Sequence, residues 1–375
     1  MRIAVVCYPT FGGSGAVATE LAIALAERGH EIHVVSYQIP FRLDRWIPNL
    51  TFHSVEISDY PLFRHHPYTL NLTNKLIELV DEYGVEMIHS HYAIPHAHAA
   101  WMAREVVRDR GQDVRLACTL HGTDITLVGR ARGFLEITRF AIAKQDILTT
   151  PSACLANETA EHFGIDVNRI AVIPNFVDLD RFKPGGNEQV ARCLRKGADP
   201  NSVILTHASN MRPVKHVTDV VRAFAVVRKR MPAVLALAGE GPDLPAAEEL
   251  ARELGVREDL RLLGNSERIE DILQVSDLFF LPSNAESFGL AALEAQACGV
   301  PVIGYAAGGL PEVVLDGQSG YLCPVGGDAC MGTIAANLLE ERDRYAAMCQ
   351  AARVSAERFA PEGIITRYEQ ALAKA

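Results

Sequence analysis

The sequence predicts an α/β chain built from two doubly wound domains, and three observations carry that expectation. Apolar, strand-like runs alternate with amphipathic helical stretches along nearly the whole length. The alternation comes as two separate series joined by a Pro- and turn-rich stretch. The 375 residues exceed one domain of ordinary size and give each of two enough chain to bury a core.

The first series opens with RIAVVCYP, TFGGSG, AVATELAIALAERGH and EIHVVSY. These read as strand, glycine loop, amphipathic helix and strand, which is one βαβ unit. Apolar segments near Met87 and Ile88, at RLACTL and at DILTTPS continue it, interleaved with helical stretches such as LTNKLIELVDEYG. The second series runs from SVILTHASN through VTDVVRAFAVVRKRMP, AVLALAGEG, LPAAEELARELG, LRLLG, RIEDILQVS and DLFFLPS to PVIGYAAGG. It predicts a second open parallel sheet with helices on both faces. Between them IPNFVDLDRFKPGG, with Pro174 and Pro184, reads as the connection. The expected domains are residues 1–173 and 174–355. The tail 356–375 ends in a helix, PEGIITRYEQALAKA, expected to pack back on the first domain.

Composition narrows the function classes. Apolar residues make up 49% and charged residues 22%, as in an ordinary globular protein. A net charge of −10 argues against general affinity for nucleic acid or anionic membrane, so an anionic ligand must be held by a few local groups. The eight cysteines show no C-x-x-C pair or zinc-like spacing, which reads as reduced thiols. The opening MRIAVVCYP is too short an apolar run for a signal peptide, and no run of about 20 apolar residues occurs. A cytoplasmic location is expected.

In the first series Gly13, Gly15 and Ala18 satisfy a loose dinucleotide fingerprint. The second strand ends in Ser36-Tyr37-Gln38 and lacks the acidic residue that would hold a ribose, which weighs against NAD. What remains is a helix start at Gly13-Ser14-Gly15 whose free N–H groups favour an anion, or a tight turn without a ligand. HSHYAIPHAHAAW holds His89, His91, His96 and His98, but Pro95 interrupts any helical metal spacing. TLHGTDITLVG places His121 at a strand's carboxyl end, where open α/β sheets bind ligands; Thr123 or Asp124 could equally cap a helix.

In the second series Arg212 and Lys215 follow the first strand and precede a helix. DLFFLPS, NAES and FGLAALEAQACG read as strand, loop and a helix ended by Gly299. Glu286 then lies before the helix and Glu294 inside it, on an apolar face with Leu290, Leu293 and Ala297, where a carboxylate needs a partner. The amides of Phe288, Gly289 and Leu290 together with Arg212 and Lys215 suit a diphosphate, and the carboxylates suit sugar hydroxyls. Gly308, Gly309 and Pro311 form a turn and helix start that could close over a transferred group, or be only a turn.

ESFGLAALE, from Glu286 to Glu294, resembles the E-x7-E motif of retaining glycosyltransferases with the two-domain GT-B fold, in which two Rossmann-like domains face a central cleft. PNFVDLDRF and GGLPEVV match companion motifs. Within that group YPTFGGSGAVATELA, YPLFRHHPY, HSHYAIPHA, TLHGTDITLVG and SNMRPVKHVTDVV resemble the N-acetyl-α-D-glucosaminyl L-malate synthase family of bacillithiol biosynthesis. Pro213, His216 and the pair Asn284-Ala285 depart from its usual residues. The resemblance implies transfer of N-acetylglucosamine from UDP-GlcNAc to the hydroxyl of L-malate with retention, no cofactor or metal, and a homodimer. It puts Arg212 and Lys215 on the diphosphate, Glu294 on the ribose, and Glu286 with Phe288, Gly289 and Leu290 on sugar and phosphate. Asn210 and Gly13 line the donor site. Ser14, Tyr92 and Thr119 fall where malate is contacted, and His121 beside the reacting centre. The catalytic group expected is His121, Arg212, Lys215 and Glu286.

Two alternatives stay open: a related transferase with another small acceptor such as an inositol phosphate, and a non-catalytic sugar-nucleotide-binding protein. CYPTFGGSG has no Lys or Arg for an acceptor phosphate, and AVATELAIALAERGH lacks the basic face a lipid-acceptor enzyme would present.

Overall fold

Most apolar runs become strands buried on both faces, because a parallel sheet is covered by helices on either side. The computed structural model describes residues 1–10, 12–56 and 67–374. It divides into two compact units, Met1–Asn175 with Glu362–Ala375, and Phe176–Pro361. In the first unit β1 (Arg2–Val6), β2 (Glu31–Ser36), β3 (Leu50–Ser54), β4 (Met87–His91), β5 (Arg115–Thr119), β6 (Ile147–Thr150) and β7 (Ile170–Val172) form one sheet. Its order is β3-β2-β1-β4-β5-β6-β7, all parallel. The winding reverses between β1 and β4, and the loops after those strands flank the crevice such a reversal creates.

The helix Gly13–Glu27 covers β1 and β2 with Ala16, Val17, Leu21, Ala22 and Leu25. The face opposite that helix carries two core clusters side by side. One is built around Leu72, Leu76, Ile88, Val107 and Leu116, the other around Leu120, Ile142, Leu148, Leu155 and Phe163. The final helix, Pro361–Ala373, belongs to this unit through Ile364, Ile365, Tyr368 and Leu372, all buried.

The second unit repeats the plan with β8 (Val203–Ala208), β9 (Ala233–Ala238), β10 (Leu260–Gly264), β11 (Leu278–Leu281), β12 (Val302–Tyr305) and β13 (Gly320–Cys323). The order is β10-β9-β8-β11-β12-β13, again parallel, with the reversal between β8 and β11. One core gathers Val220, Phe224, Leu235, Phe280 and Tyr305, the other Ile204, Val234 and Ile272. The helix expected from Phe288 starts later and spans Leu290–Ala297. Gly289, at φ +99, turns the chain just before it, so Phe288 and Gly289 lead into the helix and do not form its first turn. Among the described residues no helix is long and apolar enough to cross a membrane.

Candidate active site

The second unit gathers cations and carboxylates where its winding reverses. Beyond Ala208 the chain passes Ser209, Asn210, Met211 and Arg212 into a short turn, Pro213–Lys215, and then the helix Val217–Arg228. Asn210 is exposed, and Arg212 is exposed and enters no ion pair among the described residues. Lys215 is half-buried, and its Nζ donates to Glu286 Oε2 at 2.7 Å. The Asn284 N–H donates to the Val214 carbonyl at 3.1 Å, a second bond between the same two loops. The turn after β12 closes on the same place. The Gly309 N–H donates to the Glu286 carbonyl at 2.6 Å, and a Cβ at Gly308, where φ is +57, would lie 2.1 Å from that oxygen. Only glycine fits there. The first N–H groups of the helix Leu290–Ala297 have no intrahelical acceptor and are available to an anion.

Behind the cations a buried relay fixes their loop. His207 on β8 has its Nδ1 2.9 Å from the Phe280 carbonyl, an acceptor only, so Nδ1 carries the proton. Its Nε2 therefore accepts from the Ser209 hydroxyl at 2.8 Å, and Ser209 Oγ accepts from the Met211 N–H at 3.1 Å. Burial holds His207 neutral, its pKa pushed down to about 4. On the other side of Lys215 the Tyr305 hydroxyl donates to Asp219 at 2.8 Å, and His216 Nδ1 lies 3.3 Å from the same carboxylate. Met211 (φ +33) and His216 (φ +46) bracket Arg212 and Lys215 with left-handed backbone, which non-glycine residues adopt only when their surroundings impose it.

The first unit presents a different surface at its own reversal. After β1 the chain reaches Gly12 and the helix that begins at Gly13; Gly15 is required there because a Cβ would lie 2.6 Å from the Thr10 carbonyl. Ser14 Oγ donates to the Tyr92 hydroxyl at 3.2 Å. Tyr92, the residue after β4, has φ +94. Its ring meets Tyr8 edge-on at 5.5 Å and His121 at 5.4 Å. His121 stacks on His91, with His91 Nδ1 and His121 Nε2 2.8 Å apart. His91 Nε2 is buried without a partner, and a buried orphan N–H is costly. The His91 proton therefore belongs on Nδ1, donated to His121, whose own proton then sits on its Nδ1. Burial pushes the His121 pKa down to about 3 and that of His91 well below the usual value, so both rings are neutral. Asp124 ties the β4 and β5 loops together. Its Oδ1 accepts from the His121 and Gly122 N–H groups at 3.1 and 3.0 Å, and its Oδ2 from the Ala93 N–H at 2.9 Å. Burial outweighs those bonds and raises its pKa to about 6.

Both units match transferase families: residues 11–181 the model described as Glycosyltransferase Family 4, and residues 195–355 that described as Glycosyl transferases group 1. Among solved structures Anabaena HepE in complex with UDP and glucose superposes with a TM-score of 0.83 at 18% identity, each chain covered in full, which shows the GT-B fold. A D-inositol 3-phosphate glycosyltransferase from Rhodococcus opacus is 30% identical over 96% of this chain and 86% of its own. The N-acetyl-alpha-D-glucosaminyl L-malate synthase of Bacillus anthracis is 40% identical over 98% of this chain and 96% of its own. This chain belongs to the N-acetyl-α-D-glucosaminyl L-malate synthase family. It is a glycosyltransferase of GT-B fold.

Of the residues that likeness to the malate synthase family assigns, the second unit brings Asn210, Arg212, Lys215, Glu286, Gly289 and Leu290 to one end of its sheet. Phe288 is buried edge-on against Phe359 at 5.5 Å, so only its backbone is available. Glu294 is buried one turn into the helix. In the first unit Ser14, Tyr92 and His121 form a continuous cluster, and Gly13 is exposed at the helix start beside Ser14. Thr119 joins them through its backbone, its carbonyl accepting the Tyr92 N–H at 3.1 Å. Its side chain is fully buried among other partners, the hydroxyl 2.7 Å from Thr149 Oγ1 and 2.8 Å from His89 Nε2. His89, His91, His96 and His98 do not converge as ligands; among the described residues no three His, Cys, Asp or Glu could hold a metal ion. YPLFRHHPY lies outside the described residues except for Pro67 and Tyr68. Sequence reasoning missed His207, Ser209, Asp219 and Tyr305, and took Asp124 only as a helix cap. One signal was present: His207 interrupts the apolar run VILTHA, and a polar residue in a two-sided buried strand needs a partner.

Proposed function

We propose that this protein transfers N-acetylglucosamine from UDP-GlcNAc to the hydroxyl of L-malate, retaining the α configuration and using no metal ion or cofactor. The supporting observation is 40% identity to the Bacillus anthracis synthase over nearly the whole of both chains. The residues fit the chemistry. As the sugar–phosphate bond breaks, negative charge grows on the diphosphate, where Arg212, Lys215 and the N–H groups at Leu290 can stabilise it. The leaving phosphate oxygen takes the malate hydroxyl proton on the same face, which leaves no proton for a protein base to remove. Glu286 holds a sugar hydroxyl and Glu294 the ribose. His121, neutral and with its proton on Nδ1, offers a donor to the sugar. Ser14 and Tyr92, with the helix start at Gly13, receive a malate carboxylate. A homodimer is part of the same reading.

The test offers UDP-GlcNAc together with L-malate, an inositol phosphate and other small hydroxy acids, then identifies products by mass spectrometry and the anomer by NMR. The expected product is the α-glycoside of malate, formed at an unchanged rate in EDTA. A β product, or loss of transfer in EDTA that magnesium restores, contradicts the mechanism. The 30% identity to an inositol-phosphate transferase supports a second acceptor class, and a preference for inositol phosphate in the same panel would select it.

A further inference from the structure

Away from the residues assigned to substrates, the second unit holds two cysteine thiols face to face. Cys323 ends the edge strand β13, and Cys330 lies in the first turn of the helix Asp328–Glu340. The intervening residues fold back tightly: the Gly327 N–H donates to the Pro324 carbonyl at 2.9 Å, and the Met331 N–H to the Gly327 carbonyl at 2.9 Å. Gly327 sits between the cysteines. A Cβ there would lie 3.6 Å from Cys323 Cβ and 3.6 Å from Cys330 Cβ, so the tight turn at this glycine brings the two side chains together. Their sulfurs are 3.1 Å apart, with Cys323 donating its S–H to Cys330. Cys323 is buried and Cys330 exposed, so one sulfur can be reached from solvent while the other waits behind it. Burial and the neighbouring thiol hold Cys323 protonated, its pKa pushed up to about 12.

We propose that Cys323 and Cys330 form a reversible disulfide when the protein meets a hydroperoxide, making this turn a redox modification site. The Cys330 thiolate attacks the terminal oxygen of the hydroperoxide. The O–O bond breaks, an alkoxide or hydroxide leaves, and Cys330 is oxidised by two electrons to the sulfenic acid. The Cys323 sulfur then attacks the Cys330 sulfur. The S–S bond forms, the S–O bond breaks, and the departing hydroxide takes the Cys323 proton to leave as water. A dithiol reverses the change by two thiol–disulfide exchanges, itself becoming the disulfide. The position reaches beyond the turn, since the Cys323 carbonyl accepts the Ala306 N–H at 2.8 Å and Gly309, three residues on, donates to Glu286.

Asp316 and Asp328 make the test direct, because cleavage before aspartate separates residues 316–327 from 328–342 and leaves only a disulfide to join them. The full-length protein is treated with hydrogen peroxide, its remaining thiols are alkylated, and it is digested without reduction. The expected product is the two peptides linked, two hydrogens lighter than their sum, and separated by dithiothreitol. Cys193, the other exposed cysteine, is the internal comparison and should appear alkylated or singly oxidised. In Cys330→Ser protein Cys323 should be recovered as an alkylated thiol. Recovery of both peptides unlinked, with Cys330 as sulfinic acid or with either cysteine paired elsewhere, overturns the proposal.

Discussion

At the scale of single residues, the contact that matters most to the proposed mechanism is Lys215 with Glu286, because it joins the cation proposed to hold phosphate to the carboxylate proposed to hold sugar before either meets a ligand. Both side chains are largely screened from solvent, so the pair contributes more than an exposed bridge and less than a fully desolvated one, on the order of 1 kcal/mol. A diphosphate must compete with Glu286 for that ammonium. In Glu286→Gln the competition is removed, and UDP affinity measured by calorimetry should rise about fivefold, while transfer falls by roughly a hundredfold or more because the sugar exchanges a charged carboxylate acceptor for a neutral amide. Glu294→Ala should act in the opposite sense, weakening UDP about tenfold with a smaller effect on turnover of bound donor. Weaker UDP binding by the first variant, or unchanged binding by the second, contradicts these roles. The spacing of the two glutamates was readable from the sequence, since it is local to one loop and one helix. The partner of Glu286 was not, because it lies 71 residues away and is set by the pairing of β8 with β11.

At the scale of elements, sequence reading placed most strands and helices, though not β3, β7 or β13, and did not reach what lies just past their ends. Thr119 shows why. Its place at the end of β5 follows from the apolar run, yet which neighbour its hydroxyl meets depends on register with β4 and β6, and there it meets His89 and Thr149. Gly289 likewise moved the start of its helix by two residues, because glycine turned the chain where periodicity alone continued it. The final helix shows an element whose importance far exceeds its length. Ile364, Ile365, Tyr368 and Leu372 are buried, Arg115 donates to the Leu372 carbonyl at 3.0 Å, and Arg28 and His30 both pair with Glu369. Four such side chains at about 1.5–3 kcal/mol each come to roughly the whole stability of an ordinary domain. A chain ending at residue 360 should therefore lose amide protection throughout residues 1–175 while 176–360 keeps its own. Native-like protection of the first segment in hydrogen exchange would show the helix to be dispensable.

At the scale of the whole molecule the two units share a topology but not a response to acid, and the difference follows from where histidines are buried. The first unit encloses His33, His89, His91, His96 and His121. Burial is the main cause in each, pushing His89 and His96 down to about 4, His121 to about 3, His91 well below its ordinary 6.5 and His33 below it as well. In the second unit His207 alone is buried among the described histidines, at about 4. Between pH 6.5 and about 4 the unfolded chain takes up protons on these rings and the folded chain does not. Stability therefore falls as pH drops, by about 1.4 kcal/mol per pH unit for each ring. Asp124 works the other way. Its folded pKa, raised to about 6 from 3.8, makes the folded state the better proton binder across that interval, offsetting one histidine of the first unit. Asp277, also raised by burial, does the same in the second. The first unit should thus lose stability several times more steeply than the second as the pH falls below 6. Hydrogen exchange read by mass spectrometry from pH 7 to 4.5, corrected for intrinsic rates, separates the two. Peptides from residues 1–175 should lose protection steeply while those from 176–361 change little, and a parallel decline would mean that the buried imidazoles do not govern acid sensitivity.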